Sequence, residues 1–239
     1  MGIQGINEKI AEGLDFILKN PAIFFSEADI QSIFYENLKN INGLNKLHHT
    51  GCTIGLNQYG EESSQKYQTY AIHREYGLND NKNSRVDLAI FNPDDIAKIQ
   101  DPVNLKDSDN KYLEPDYIFE FGTEKSAQSS DNLFKHIDND IEKLNKARKG
   151  SFLIHIQRNY LRGQNSEGNR EKHDAYQNIV CEKKETLKDN IKVLYFKVDI
   201  GGPKRNIQKE GKVKMLIDDK LVGIPQDNIK TEIKKVLRF

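Results

Sequence analysis

Two short apolar stretches carry an acid where a strand interior should be greasy. They are Arg85-Val86-Asp87-Leu88-Ala89-Ile90-Phe91 and Asp116-Tyr117-Ile118-Phe119-Glu120-Phe121-Gly122-Thr123-Glu124-Lys125. Both are rich in β-branched and aromatic residues, as buried strands are. A carboxylate inside such a strand is costly unless something neutralises it. Two of them, separated by a polar connection, predict two carboxylates converging on one cation, with the rest of the chain as scaffold. Alternation puts Asp116, Ile118, Glu120 and Gly122 on one face of the second strand and Tyr117, Phe119 and Phe121 on the other.

At 239 residues the chain is long enough for one sizeable domain, or a domain with an appendage. Hydrophobic residues make up 36% and charged residues 30%, but the apolar ones fall in periodic clusters, which argues against global disorder. Lys and Arg number 36, as do Asp and Glu, so any basic face for nucleic acid must be local. Cys52 and Cys181 have no metal-type spacing and point to a reducing, cytoplasmic setting. The first residues lack a basic region followed by an apolar core, so no signal peptide is expected. No apolar run approaches the ~18 residues of a membrane span.

Ile6, Ile10, Leu14 and Ile17 predict an amphipathic helix ending before Asn20-Pro21. Ser26 reads as the N-cap of a second helix over 27–39, with Asp29 completing a capping box and Glu27 in its first turn. Strands are expected over 50–58 and 67–76, then around Asp87, then around Glu120 after a polar loop at 101–114. A helix over 130–147, striped by Leu133, Phe134, Ile137, Ile141 and Leu144, leads to a central strand at 151–156. Strand, helix and strand joined this closely predict a parallel crossover. A helix near 170–184, strands at 191–198 and 213–217 (the last at an edge) and a terminal helix from Asp227 complete the reading.

If the Asp87 and Glu120 strands are neighbours, their carboxylates approach within a few Å, and each disfavours ionisation of the other. A hard divalent cation with oxygen ligands removes that penalty. Ions held this way activate water and screen charge at a phosphodiester.

The order of elements and motifs resembles the restriction-endonuclease-like nucleases, the PD-(D/E)xK superfamily, over roughly residues 26–157. Ser-Glu-Ala-Asp-Ile-Gln at 26–31 resembles the family's acid-bearing helix, Arg-Val-Asp-Leu-Ala-Ile at 85–90 its Asp strand, and Ile-Phe-Glu-Phe-Gly at 118–122 its Glu-x-Lys strand. His-Ile-Asp-Asn-Asp-Ile-Glu-Lys-Leu at 136–144 is similar to the helix that commonly follows. The resemblance implies an α/β fold: a restriction-endonuclease-like mixed central sheet flanked by helices (residues 1–185, with the N-terminal helices), and a C-terminal β/α extension of the same domain over 186–239. It implies a Mg²⁺- or Mn²⁺-dependent nuclease acting on DNA in restriction, phage defence or a mobile element. Asp87, Glu120 and the Phe121 carbonyl would hold metal, and Glu27 would be an outer or second-metal ligand.

One position departs from the pattern. Gly122 stands where the family has its catalytic lysine, which positions water and stabilises developing negative charge. Lys125 is the nearest replacement and would orient the water, provided that the strand bends after Gly122; Lys143 and Lys146 are more remote candidates. Glu75 ends a strand and faces either the same cleft or solvent. Gln157, Arg158, Lys204 and Arg205 are candidates for contact with nucleic-acid phosphate. A catalytically inactive nuclease-like domain that binds nucleic acid or protein is the alternative, and a binding domain with purely structural acids a third. A homodimer and a partner protein are both left open.

Overall fold

A computed structural model describes residues 3–21, 26–53, 66–79, 84–123, 130–160, 178, 182, 187–200, 212–217 and 220–237. Its elements run α1 (Ile3–Lys19), α2 (Glu27–Lys39), β1 (His48–Thr53), β2 (Lys66–Thr69), β3 (Ile72–Gly77), β4 (Arg85–Ile90), α3 (Pro93–Ile96), β5 (Tyr117–Thr123), α4 (Ser130–Leu144), β6 (Gly150–Tyr160), β7 (Ile191–Ile200), β8 (Lys212–Ile217), β9 (Lys220–Ile224), and a C-terminal helix Ile229–Val236. The architecture is mixed α/β. Seven strands lie side by side in chain order from β3 to β9, and β1 and β2 form a separate antiparallel pair.

The sheet is mixed. Strands β3, β4 and β5 form an antiparallel meander; β5, β6 and β7 are parallel; β8 and β9 return antiparallel. Helix α4 makes the β5-to-β6 crossover that the short connections predicted. Two helices cover the sheet's central strands on opposite faces. Phe34 of α2 packs on Phe121, ring centroids 4.8 Å apart, while Lys143 of α4 reaches the adjacent residue Glu120. Neighbouring residues on a strand point to opposite faces, so α2 and α4 sandwich β5. Phe119 stacks on Phe152 of β6 at 4.8 Å to continue the core.

Helix α2 starts as expected. The Ser26 hydroxyl accepts from the Asp29 N–H, and the Asp29 carboxylate accepts from the Ser26 N–H at 2.8 Å. Helix α1 packs across α2 at Gly13, where a Cβ would already sit 3.1 Å from the Asn37 amide nitrogen. The C-terminal helix lies on α1, burying Ile229, Ile233 and Leu237, with Lys230 paired to Glu8 at 2.8 Å.

Four expectations change. The strand expected over 67–76 is two strands in two sheets, because the chain crosses between them at Tyr70-Ala71 and Ala71 accepts the Phe91 N–H. Strand β8 is internal; the short, Gly-containing Lys220–Ile224 is the edge beyond it. The terminal helix is preceded by a 3₁₀ turn at Gln226–Asn228 and begins at Ile229. The strand at 50–58 starts earlier, at His48, and is described only to Thr53. The helix expected near 170–184 lies outside the described residues except at Asn178 and Glu182, both helical.

Candidate functional site

Register brings the acids together. Leu88 of β4 pairs with Phe119 of β5, so the next position outward sets Asp87 against Glu120. On the other side, Arg74 pairs with Leu88 and Tyr76 with Val86, which brackets Glu75 opposite Asp87. Asp87 and Glu120 therefore stand side by side on neighbouring strands, at positions whose Cβ atoms in a regular sheet are about 5 Å apart, with Glu75 on the strand beyond Asp87. The Asp87 carboxylate closes the end of the β4–β5 ladder by accepting the Phe121 N–H at 2.6 Å. Glu75 adopts a left-handed backbone, φ 50°, which is rare for a residue with a side chain.

Helix α2 holds this end of the sheet through Gln31. Its amide nitrogen donates to Glu75 Oε1 at 3.0 Å and to the Asp87 carbonyl at 2.6 Å, and its oxygen accepts from Arg74 at 2.7 Å. Glu27 sits one turn earlier on the same helix. Its negative charge reaches Asp87. Burial chiefly, opposed by the Phe121 N–H, then the charges of Glu27, Asp140 and Glu75, push the Asp87 carboxyl up to about 7.

Helix α4 supplies the other half. Lys143 Nζ lies 2.9 Å from Glu120 Oε1 and 2.8 Å from Asp140 Oδ1, and donates to the Arg85 carbonyl at 3.1 Å. Glu120 Oε1 and both Asp140 oxygens are buried, and the charged groups beside them among the described residues are Lys143 and His136. Glu120 is 2% and Asp140 1% exposed. His136, one turn before Asp140, approaches its other oxygen at 3.4 Å. Burial, then the charges of Asp140 and Asp87, raise the Glu120 pKa against the pull of Lys143. Burial also works against the Lys143 ammonium, but its two carboxylates outweigh that and raise its pKa. One ammonium thus serves two buried carboxylates, and Asp87 beside them adds a third.

Position 122 has no room for a side chain. Gly122 pairs with His155 on β6, and a Cβ there would collide with the imidazole ring. His155 is buried and held neutral, its pKa pushed down to about 3 by burial and then by His136. A lysine cannot occupy position 122 while His155 stays where it is.

The predicted residues divide. Asp87 and Glu120 are brought together, Glu27 acts on Asp87 through its charge, and Phe121 contributes its N–H to Asp87. Lys125, Lys204 and Arg205 lie outside the described residues, as does the Arg158 side chain, whose backbone pairs with Val198. Gln157 is a correction: it is 2% exposed and accepts a hydrogen bond from the Tyr195 hydroxyl, so it belongs to the core between β6 and β7 and not to a phosphate-facing surface. Sequence reasoning gave Asp140 no role and ranked Lys143 behind Lys125. The signal was present, because Asp140 falls on the buried stripe of Ile137, Ile141 and Leu144, where an acid needs a partner. Gln31 carried no such signal.

Among the described residues, no three His, Cys, Asp or Glu side chains are grouped closely enough to hold an ion as they stand. The ligand chemistry still suits one: among the described residues, oxygen ligands and an excess of buried negative charge over positive. No helix among the described residues is long and apolar enough to cross a membrane. No protein-family model, curated protein or solved structure matches the chain.

Proposed function

We propose that this chain is a Mg²⁺- or Mn²⁺-dependent nuclease of the restriction-endonuclease-like kind that hydrolyses phosphodiester bonds in DNA. The observation that carries the reading is the register of Asp87 against Glu120 at the end of β4 and β5, with more buried carboxylate than nearby cation among the described residues. The succession α2, antiparallel β3–β4–β5, crossover α4 and parallel β6 also fits that fold.

Asp87, Glu120 and the Phe121 carbonyl would hold the ion, with Glu27 and Asp140 as outer acids. When bound, such an ion supplies charge screening at the phosphate and a more acidic water. The chain itself supplies the rest. Lys143 takes the role left vacant at Gly122: its ammonium sits beside Glu120 and can stabilise the negative charge that develops on phosphate oxygens. Gln31 ties Asp87 and Glu75 to α2, so the acids are fixed before substrate arrives. The second reading, a domain that binds nucleic acid without cutting, is favoured by Gly122 and the imidazole behind it.

The test is incubation with plasmid, linear and single-stranded DNA, and with RNA, under Mg²⁺, Mn²⁺ and EDTA, beside Asp87→Ala. Cleavage lost in EDTA and in the variant supports the nuclease. Intact substrates with retained binding support the second reading, and absence of binding overturns both.

A further inference from the structure

A polar cleft of about 670 Å³ opens along the free edge of β3, between that strand, β2 and the 101–114 loop. It is joined to the acid site through two residues. Glu75 lines it and is held by Gln31 beside Asp87; Arg85 lines it while its carbonyl accepts from Lys143. Arg85 lines it, as does Arg74, whose guanidinium donates to Gln31, and Glu75 is the one acid among the described lining residues. Tyr67, 39% exposed, and Tyr112 bring aromatic rings.

The far wall is a built structure. Lys106 bridges to both Asp101 and Tyr112, its ammonium lies 4.4 Å from the Tyr112 ring centroid, and Asp101 accepts from the Val103 and Asn104 N–H groups. Leu105 on this wall and Glu75 on the opposite one both hold a left-handed backbone, φ 53° and 50°. A bulky residue adopts that conformation only where its surroundings enforce it, and such positions concentrate at functional sites. Val103 stands 86% exposed on the cleft wall.

We infer that this cleft binds a single DNA strand and leads it to the acid site. Guanidinium groups for phosphate together with aromatic rings for base faces are the combination that single-strand binding uses. A cleft of this volume falls in the size range of small-ligand sites and fits a short run of nucleotides. The inference rests on the nuclease reading for what the strand is delivered to, but its test does not need cleavage.

The probe is a fluorescein-labelled oligothymidylate of about a dozen nucleotides, with fluorescence anisotropy read in EDTA. A duplex of the same length and an oligouridylate are the comparison arms. The wild-type chain should bind the single DNA strand at least about tenfold more tightly than the duplex. Arg85→Glu and Tyr67→Ala should each weaken single-strand binding by about tenfold, and Tyr67→Phe, which keeps the ring, should restore it. Arg85→Glu should also lower the salt dependence, as loss of a phosphate contact does. Equal affinity for strand and duplex, tighter binding of the oligouridylate, or unchanged binding by both variants while their melting temperatures match wild type, would overturn the inference. If the nuclease reading alone fails, single-strand binding survives without Mg²⁺-dependent cleavage. If this inference alone fails, duplex cleavage survives while the cleft variants bind as wild type.

Discussion

Just before β5, the buried carboxylate of Asp116 meets Arg148 at 2.7 Å and Lys149 at 2.6 Å, and Arg148 also reaches Asp95. Four residues on, Glu120 shares the single ammonium of Lys143 with Asp140 and stands opposite Asp87. The acids come from one stretch of sequence, and Asp116 and Glu120 fall on one face by alternation. Their charge balance is opposite. At the first end, Arg148, Lys149 and Lys98 serve two acids, tying α3 and the turn before β6 to the sheet. At the second end carboxylates outnumber the cation among the described residues, and burial together with the neighbouring negative charges raises the pKa values of Asp87 and Glu120. A buried acid alone therefore says little about chemistry; an acid left short of positive charge says more.

The comparison breaks most visibly in activity. Asp87→Ala or Glu120→Gln should lower Mg²⁺-dependent cleavage by roughly a thousandfold or more, an effect of the size that follows loss of central catalytic groups. Asp116→Asn should instead leave cleavage within about twofold of wild type and reduce stability by about 1–2 kcal/mol, read by urea denaturation, since Arg148 and Lys149 keep access to water. If Asp116→Asn abolished cleavage in a folded protein, the contrast between the two ends would collapse.

Lys143→Met comes next in size. It keeps most of the length of the side chain and removes the charge, and it should slow cleavage by roughly a hundredfold with DNA binding retained. Lys125→Ala, assayed beside it, should change the rate by less than about twofold, because Lys143 already supplies the ammonium. The reverse pattern would return the role to Lys125.

The smallest effect is in pH. The folded Asp87 carboxyl has a pKa of about 7, above its unfolded value, so the folded state binds the extra proton between the two. The contribution is therefore favourable at low pH and is lost as pH rises through 7. Metal-free protein should lose stability over that window, and Asp87→Asn should flatten the loss and raise the melting temperature at pH 8 by about 5 °C. A profile unchanged by the substitution would show that Asp87 ionises without cost and that this end of β5 is not short of cations.

Much of the scaffold is readable from the chain. The Ser26–Asp29 cap, the acid-bearing strands and the crossover through α4 follow from local signals that tertiary contacts do not override. The pairing of Asp87 with Glu120 follows once the two strands are neighbours. What was not legible depends on register between distant segments. His155 blocks position 122 only because β6 sets it beside Gly122. Lys143 reaches Glu120 because the crossover returns α4 over β5, which their distance in sequence conceals. Gln157 looked like a polar strand end and is a core amide because Tyr195 on β7 offers it a hydroxyl. The break between β2 and β3 was hidden because Tyr67, Tyr70, Ile72 and Tyr76 keep a strand-like composition across it.

The most direct test of the claim that this end of β5 is a cation site is Mn²⁺ binding to the metal-free protein at pH 8, followed by electron paramagnetic resonance, for wild type, Asp87→Asn and Asp116→Asn. Wild type and Asp116→Asn should bind Mn²⁺ saturably with matching affinity, and Asp87→Asn should bind at least about tenfold more weakly. Mn²⁺ bound equally by Asp87→Asn, or not bound by wild type, would contradict it.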